Sequence, residues 1–179
     1  YPFAAEGFAV LCYSAADMDF ERLARDDGDA YQNWERGPGD PVKHRVQAGL
    51  DAAVAHLDRL GVIDPNRVGV TGLSFGAELT TFALFNMHNL AAAIASGTEI
   101  GPSSTFLYGP ASNQLIRAWG LASPWSDRWK TLSVTLNANR VRAPLLLNVS
   151  DHELVSTVES VTALENAARA VEMYVFPDE

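Results

Sequence analysis

The segment Gly72-Leu73-Ser74-Phe75-Gly76 has the residue types and the spacing that could present a serine as a nucleophile. It directly follows a strand-like apolar run at 67–71 and directly precedes a helix-like run at 77–86. A sharp turn from strand to helix holds such a serine in a strained backbone conformation, and the flanking glycines leave room for it. The pattern therefore predicts that Ser74 is an acyl-transfer nucleophile, whereas an ordinary tight turn would leave both glycines unexplained.

The oxyanion donor and the acid of such a site are predicted from positions near this turn and further along the chain. The backbone N–H of Phe75, at the start of the helix, would donate to the developing oxyanion. The acid should follow the serine, and the loop after a predicted strand at 143–149 reads Ser150-Asp151-His152-Glu153-Leu154. Both Asp151 and Glu153 are candidates, because spacing alone does not choose between them and either carboxylate could orient an imidazole.

The catalytic histidine is expected outside this sequence, beyond Glu179. It should lie in the loop after the last predicted strand, at 171–176, and the sequence ends three residues after that strand. None of the four histidines that are present fits this role. His44 and His56 precede the turn, His88 lies too far along the following helix, and His152 neighbours the acid candidates. The chain alone is therefore expected to be nearly inactive, since loss of one triad member costs about 10⁴ to 10⁶ in turnover.

The elements that must position these residues alternate between strand and helix patterns, which indicates an α/β fold. Strands are predicted at 7–14, 67–71, 91–96, 143–149 and 171–176, and helices at 41–60, 77–86 and 155–170. Together with the turn at Ser74, this order predicts the α/β-hydrolase fold, with a mostly parallel sheet, helices on both faces and the 67–71 strand near the middle. We expect this fold to be truncated at both ends.

A long irregular stretch at 97–141 contains three of the four tryptophans. A connection of this length usually covers or contributes to a site. Its tryptophans could line the substrate cleft, and packing inside the covering segment is the alternative: Trp119, Trp125 and Trp129.

Length and composition indicate one globular domain without a nucleic-acid or membrane partner. A chain of 179 residues with 47% hydrophobic residues can bury one substantial core, so residues 1–179 are interpreted as one partial catalytic domain. The net charge of −9 repels phosphate backbones and anionic lipids. The single cysteine, Cys12, lies in the predicted strand at 7–14 and is expected to be buried and inert.

No cofactor and no metal are expected, and the sequence does not indicate an oligomeric state. No apolar run reaches the length of a membrane span, and the N-terminus lacks the pattern of a signal peptide. The bacterial cytoplasm is therefore the expected compartment. The periplasm is the alternative, because the true start of the protein is expected to lie outside the sequence.

With these motifs placed, the chain resembles the catalytic domain of the prolyl oligopeptidase family of serine peptidases. The resemblance runs from the strand at Gly7 through the segment 64–76 to the strand at 143–147. In that family the acid loop typically reads Asp-His-Asp, with the last residue catalytic, and Asp151-His152-Glu153 lies over it. The resemblance therefore implies that Glu153 is the triad acid.

Within that family the chain is most similar to the lasso-peptide isopeptidases. The similarity rests on the segment Gly72–Glu78, the pair Pro124-Trp125, the segment Asn137-Ala138-Asn139 and residues 171–179. It implies a peptide substrate and a triad of serine, glutamate and histidine that hydrolyses the isopeptide bond closing a macrolactam ring. It also implies an N-terminal β-propeller and a second oxyanion donor outside this sequence.

Two alternatives to an isopeptidase remain open at this point. The same fold and turn serve general oligopeptidases and esterases, because neither fixes the acyl group that is transferred. A protein of another class, a catalytically silent binding domain, could retain the turn at Ser74 for structural reasons.

Overall fold

The computed structural model describes residues 2–13, 41–97, 101–104 and 127–177. Within these ranges, four strands form one parallel sheet in the order β1-β2-β3-β4. The elements in chain order are α1 (Pro2–Ala5), α2 (Pro41–Arg59), β1 (Val68–Leu73), α3 (Phe75–Asn86), β2 (Leu90–Ser96), α4 (Asp127–Leu132), a 3-10 helix (Thr135–Arg140), β3 (Leu145–Ser150), a 3-10 turn (Asp151–Glu153), α5 (Leu154–Asn166) and β4 (Val171–Phe176). The predicted α/β fold is confirmed.

The core lies on one face of the sheet, where alternate residues of every strand point toward the helices. In the strand register Val70 pairs with Ala93, Ala93 with Leu145 and Leu145 with Val171, so these side chains share a face. Helices α3 and α5 supply Phe82, Phe85 and Leu164 to the same core. Each fully buried aliphatic or aromatic side chain of this kind stabilises the fold by about 1.5–3 kcal/mol.

Helix α2 lies against α3 through the apolar stripe that its sequence predicts. Val46 is buried, and Leu50 and Val54 contact the core from the rim. The stripe ends with the helix, because Leu60 follows its last residue and is exposed. Among the helices in the described ranges, none combines the length and apolarity needed to cross a bilayer.

The prediction of a buried strand at 7–14 is wrong for the residues of it that the structure describes. Residues 8–13 form no strand, and Phe8 and Leu11 are 61% and 53% exposed. Cys12 is exposed as well, so the expected buried thiol is also wrong. A strand is stable only when its backbone groups pair with a neighbour. Each of the four described strands pairs only with another of the four.

Two further differences concern strand position and helix length. Strand β1, expected near the middle, pairs only with β2 and is the edge strand of the described sheet. Helix α5 ends at Asn166, earlier than the predicted 170, because Ala168 adopts a left-handed φ of 55°. The N–H of Ala168 then donates to the carbonyl of Glu165 at 2.8 Å, and this bond closes the helix.

Candidate active site

Ser74 lies in the sharp turn between β1 and α3, as its sequence context predicts. Its φ of 56° and ψ of −120° are rare for a residue with a side chain. Such a conformation costs of order 1–3 kcal/mol and persists only where the surroundings hold it. The predicted turn geometry is confirmed, and the catalytic role of Ser74 stays a prediction.

Glycines leave the space that this turn needs. A Cβ added at Gly72 would overlap the carbonyl oxygen of Gly76, so a side chain at position 72 would push the turn open. Gly97, which follows β2, has a φ of +113°, and a Cβ there would lie 3.3 Å from the backbone nitrogen of Ser74. The chain can therefore pass close to Ser74 on both sides only because these positions lack side chains.

Backbone hydrogen bonds tie Ser74 to both the sheet and the helix. Its N–H donates to the carbonyl of Ser96 at 2.9 Å, which extends the β1–β2 pairing by one residue. Its own carbonyl accepts the N–H of Ala77 at 2.8 Å. Phe75 is the first residue of α3, where backbone N–H groups have no partner within the helix. The role of the Phe75 N–H as an oxyanion donor stays a prediction.

A pocket of about 450 Å³ opens at the carboxyl edge of the sheet beside Ser74. The described residues that line it come from the ends of all four strands, the turn at Ser74, the first turn of α3 and the 3-10 turn after β3. They are Leu73, Ser74, Glu78, Ser96, Gly97, Asn148, Val149, Ser150, Glu153 and Phe176. Of the two acid candidates, Glu153 lines this pocket together with Ser74, and Asp151 is not among the lining residues.

The carboxylate of Glu153 is held in place by its own loop. Its Oε2 accepts the N–H of Ser150 at 3.1 Å, and the two residues form a capping box. Its Oε1 would lie 3.9 Å from a Cβ added at Gly97, and the backbone nitrogen of Ser74 would lie 3.3 Å from the same Cβ. The Ser-x-x-Glu spacing at 150–153 is a sequence signal for this capping box.

Asp151 points elsewhere. Its Oδ1 lies 3.6 Å from Nε2 of His152, and the two side chains are 40% and 84% exposed. Such an exposed pair contributes little to stability. The structure therefore brings Glu153, and not Asp151, to the pocket of Ser74.

None of the histidines lines the pocket, and neither does Trp129. The ring of His44 packs edge-on against Phe82 at 5.1 Å. Trp129 in α4 is only 2% exposed, so its position is that of a packed core residue. The other two proposed cleft residues, Trp119 and Trp125, lie outside the described residues.

One further charged group of the pocket was missed by the sequence analysis. Glu78 lines the pocket, and its Oε2 lies 3.0 Å from Nζ of Lys43 on α2. The two residues are 35 positions apart, and no local pattern signals their pairing. Gly97 was missed too, although a glycine directly after β2 is a recognisable signal for a close approach of the backbone.

No protein-family model matches the chain. It is 32% identical over 187 aligned residues to the lasso peptide isopeptidase AtxE2 of Asticcacaulis excentricus, and the match covers 99% of this chain and 26% of that protein. A solved structure of a serine-to-alanine variant of AtxE2 with Astexin3-dC4 bound matches with a TM-score of 0.72, covering 88% of this chain and 24% of that one.

The chain resembles the lasso-peptide isopeptidases of the prolyl oligopeptidase family. Its α/β-hydrolase fold is confirmed by the solved structures it matches. One of these is the acylaminoacyl peptidase of Pyrococcus horikoshii, with a TM-score of 0.67 at 21% identity over 84% of this chain and 25% of that one.

The chain spans about a quarter of the length of the curated relative that it matches. The site described above lies within the matched region, because the match covers nearly the whole chain.

Proposed function

We propose that this chain is part of the catalytic domain of a serine peptidase in which Ser74 is the nucleophile and Glu153 the triad acid. One observation carries the proposal. A serine in a left-handed strand-to-helix turn shares one pocket with a carboxylate that its own loop holds in place. Side chains of these types at a sheet's carboxyl edge are what acyl transfer needs.

In this proposal Ser74 Oγ attacks the carbonyl carbon of an amide. Its proton passes to a histidine in the segment after β4, beyond Glu179, and Glu153 orients that imidazole and stabilises its cation. The backbone N–H of Phe75 donates to the oxyanion, and a second donor comes from another part of the protein. The imidazolium then protonates the leaving amine, and an acyl-enzyme remains. Water hydrolyses the acyl-enzyme by the same steps and restores the serine.

The position of β4 supports the proposed source of the histidine. Its last residue, Phe176, lines the pocket together with Ser74 and Glu153. A residue a few positions further on would therefore start within reach of both side chains, since each residue spans at most about 3.6 Å. In this account the chain works within a larger protein that supplies the histidine and a β-propeller.

We further propose that the amide is the isopeptide bond of a lasso peptide. The proposal is supported by 32% identity to a protein named lasso peptide isopeptidase, and by the matching structure that has Astexin3-dC4 bound. An isopeptide bond is an amide, so the chemistry of Ser74 applies to it without change.

The experiment incubates the full-length protein with a lasso peptide, with its unthreaded branched isomer and with a p-nitrophenyl ester. We expect mass spectrometry to show the lasso peptide converted into a linear peptide that has gained one water, and Ser74→Ala to abolish the reaction. Cleavage of the ester alone would replace the peptidase proposal by an esterase. Turnover of none of the three, with equal fluorophosphonate labelling of wild type and Ser74→Ala, would indicate a silent binding domain.

A further inference from the structure

The pocket of Ser74 contains a second carboxylate that the proposed triad does not use. Glu78 lies four residues after Ser74 in the first turn of α3, and its N–H donates to the carbonyl of Ser74 at 3.3 Å. Glu78 is the fourth residue of α3, so it lies in the first turn of the helix that Ser74 precedes. It lines the pocket there and is 20% exposed.

A lysine from another helix holds this carboxylate. Nζ of Lys43 on α2 donates to Oε2 of Glu78 at 3.0 Å, and the lysine side chain is only 7% exposed. Charged groups buried to this degree are retained when an opposite charge stays close. Helix α2 thus fixes the orientation of a carboxylate in the wall of the pocket.

The charge of the described pocket wall is one-sided. Its lining includes Glu78 and Glu153 but no lysine, arginine or histidine among the described residues. Lys43, which pairs with Glu78, is not one of the lining residues. Charges act more strongly in a pocket partly shut off from water than in bulk solvent. Because Glu78 lines the pocket and Lys43 does not, a substrate group beside Ser74 lies nearer to the negative end of this ion pair than to its positive end.

We propose that Glu78 is a specificity-determining residue: it favours a substrate with a cationic group next to the scissile bond and disfavours a carboxylate there, while Lys43 acts as a positioning residue that orients Glu78 and weakens its field. The inference rests on the proposed function of the same pocket. It assigns Glu78 no part in bond breaking.

The test uses the full-length protein and three peptide substrates that differ in one residue next to the scissile bond, which is lysine, glutamine or glutamate. The measured quantity is the ratio of kcat/KM for the cationic and the anionic substrate. We expect Glu78→Gln to lower this ratio about tenfold, because the field of one nearby unit charge is lost. Lys43→Met should raise the ratio several-fold, because Glu78 then lacks its counter-charge.

Two variants separate charge from structure. Lys43→Arg keeps the charge and should keep the wild-type ratio, whereas the double variant Lys43→Met with Glu78→Gln removes both charges and should give a ratio between those of Glu78→Gln and of the wild type. Lys130→Met is the matched control, since it removes an exposed ion pair with Asp127 in α4 and should leave the ratio unchanged. Where Lys43→Met lowers the melting temperature too far for kinetics, Glu78→Gln and the double variant decide.

The outcomes are distinguishable. If the wild-type protein turns over the peptides and Glu78→Gln slows all three equally, this inference is overturned and the proposed function stands. If the wild-type protein turns over none of them, and fluorophosphonate labels Ser74→Ala as well as wild type, the proposed function fails and the inference with it.

Discussion

Strand β1 and the segment 8–13 are both apolar runs that contain or follow a glycine, and the sequence predicts a strand for each of them. Only β1 forms one. Strand β1 pairs with β2 along its whole length and lies against α3, whereas residues 8–13 form no strand and are exposed. The difference teaches that an apolar run specifies a strand only together with the neighbour that accepts its hydrogen bonds.

The largest effect expected at the carboxyl edge concerns the two acid candidates. In the full-length protein, Glu153→Gln should lower kcat by about 10⁴, as loss of a triad acid does in comparable enzymes. Asp151→Asn is the matched control and should change kcat less than threefold, because Asp151 is exposed beside His152. Steady-state kinetics on the cleaved peptide give both values, and the reverse order of effects would transfer the acid role to Asp151.

The comparison between the two regions is tested directly by two leucines. Leu147 in β3 is fully buried, and Leu147→Ala should cost about 2–5 kcal/mol of unfolding free energy. Leu11 is 53% exposed, and Leu11→Ala should cost less than about 0.5 kcal/mol. Denaturant unfolding of the full-length protein measures both. Equal costs would mean that the segment 8–13 is packed in the whole protein.

A smaller effect is expected from two glycines. Gly97→Ala forces a side chain into a φ of +113° and toward the nitrogen of Ser74, so we expect a loss of about 1–3 kcal/mol. Gly69→Ala in β1 is the control, because its added Cβ meets only the carbonyl of Ala92 at an ordinary 3.7 Å. Melting temperatures compare the two variants. A larger loss at position 69 would contradict the account of the close approach at Ser74.

Local signals allowed much of this site to be predicted. The turn at Ser74 follows from glycines and a change of apolar period within ten residues, and the strands at 91–96, 143–149 and 171–176 begin and end within about two residues of the observed ones. The loop after the 143–149 strand gave both Asp151 and Glu153 as acid candidates, and the choice of Glu153 came only from a resemblance. The acid loop takes its shape from the hydrogen bond between Ser150 and Glu153.

Long-range pairings could not be predicted in the same way. The ion pair of Lys43 with Glu78 depends on how α2 lies against α3, which no residue near either position indicates. Cys12 shows the reverse error. Its local pattern predicted a buried strand, but none of the described strands pairs with this segment and the thiol is exposed. A site formed within one turn can therefore be predicted from the sequence, whereas a contact between two helices cannot.

The most direct test of the central claim is the identity of the serine that reacts with a fluorophosphonate in the full-length protein. Ser74, Ser96 and Ser150 line the same pocket and provide internal controls for one another. Tandem mass spectrometry of the digested adduct should place the label on Ser74 alone, because of the three serines only Ser74 has the positive φ of the strand-to-helix turn that directly precedes α3. A label on Ser96 or Ser150, or no label on any of the three, would contradict the account.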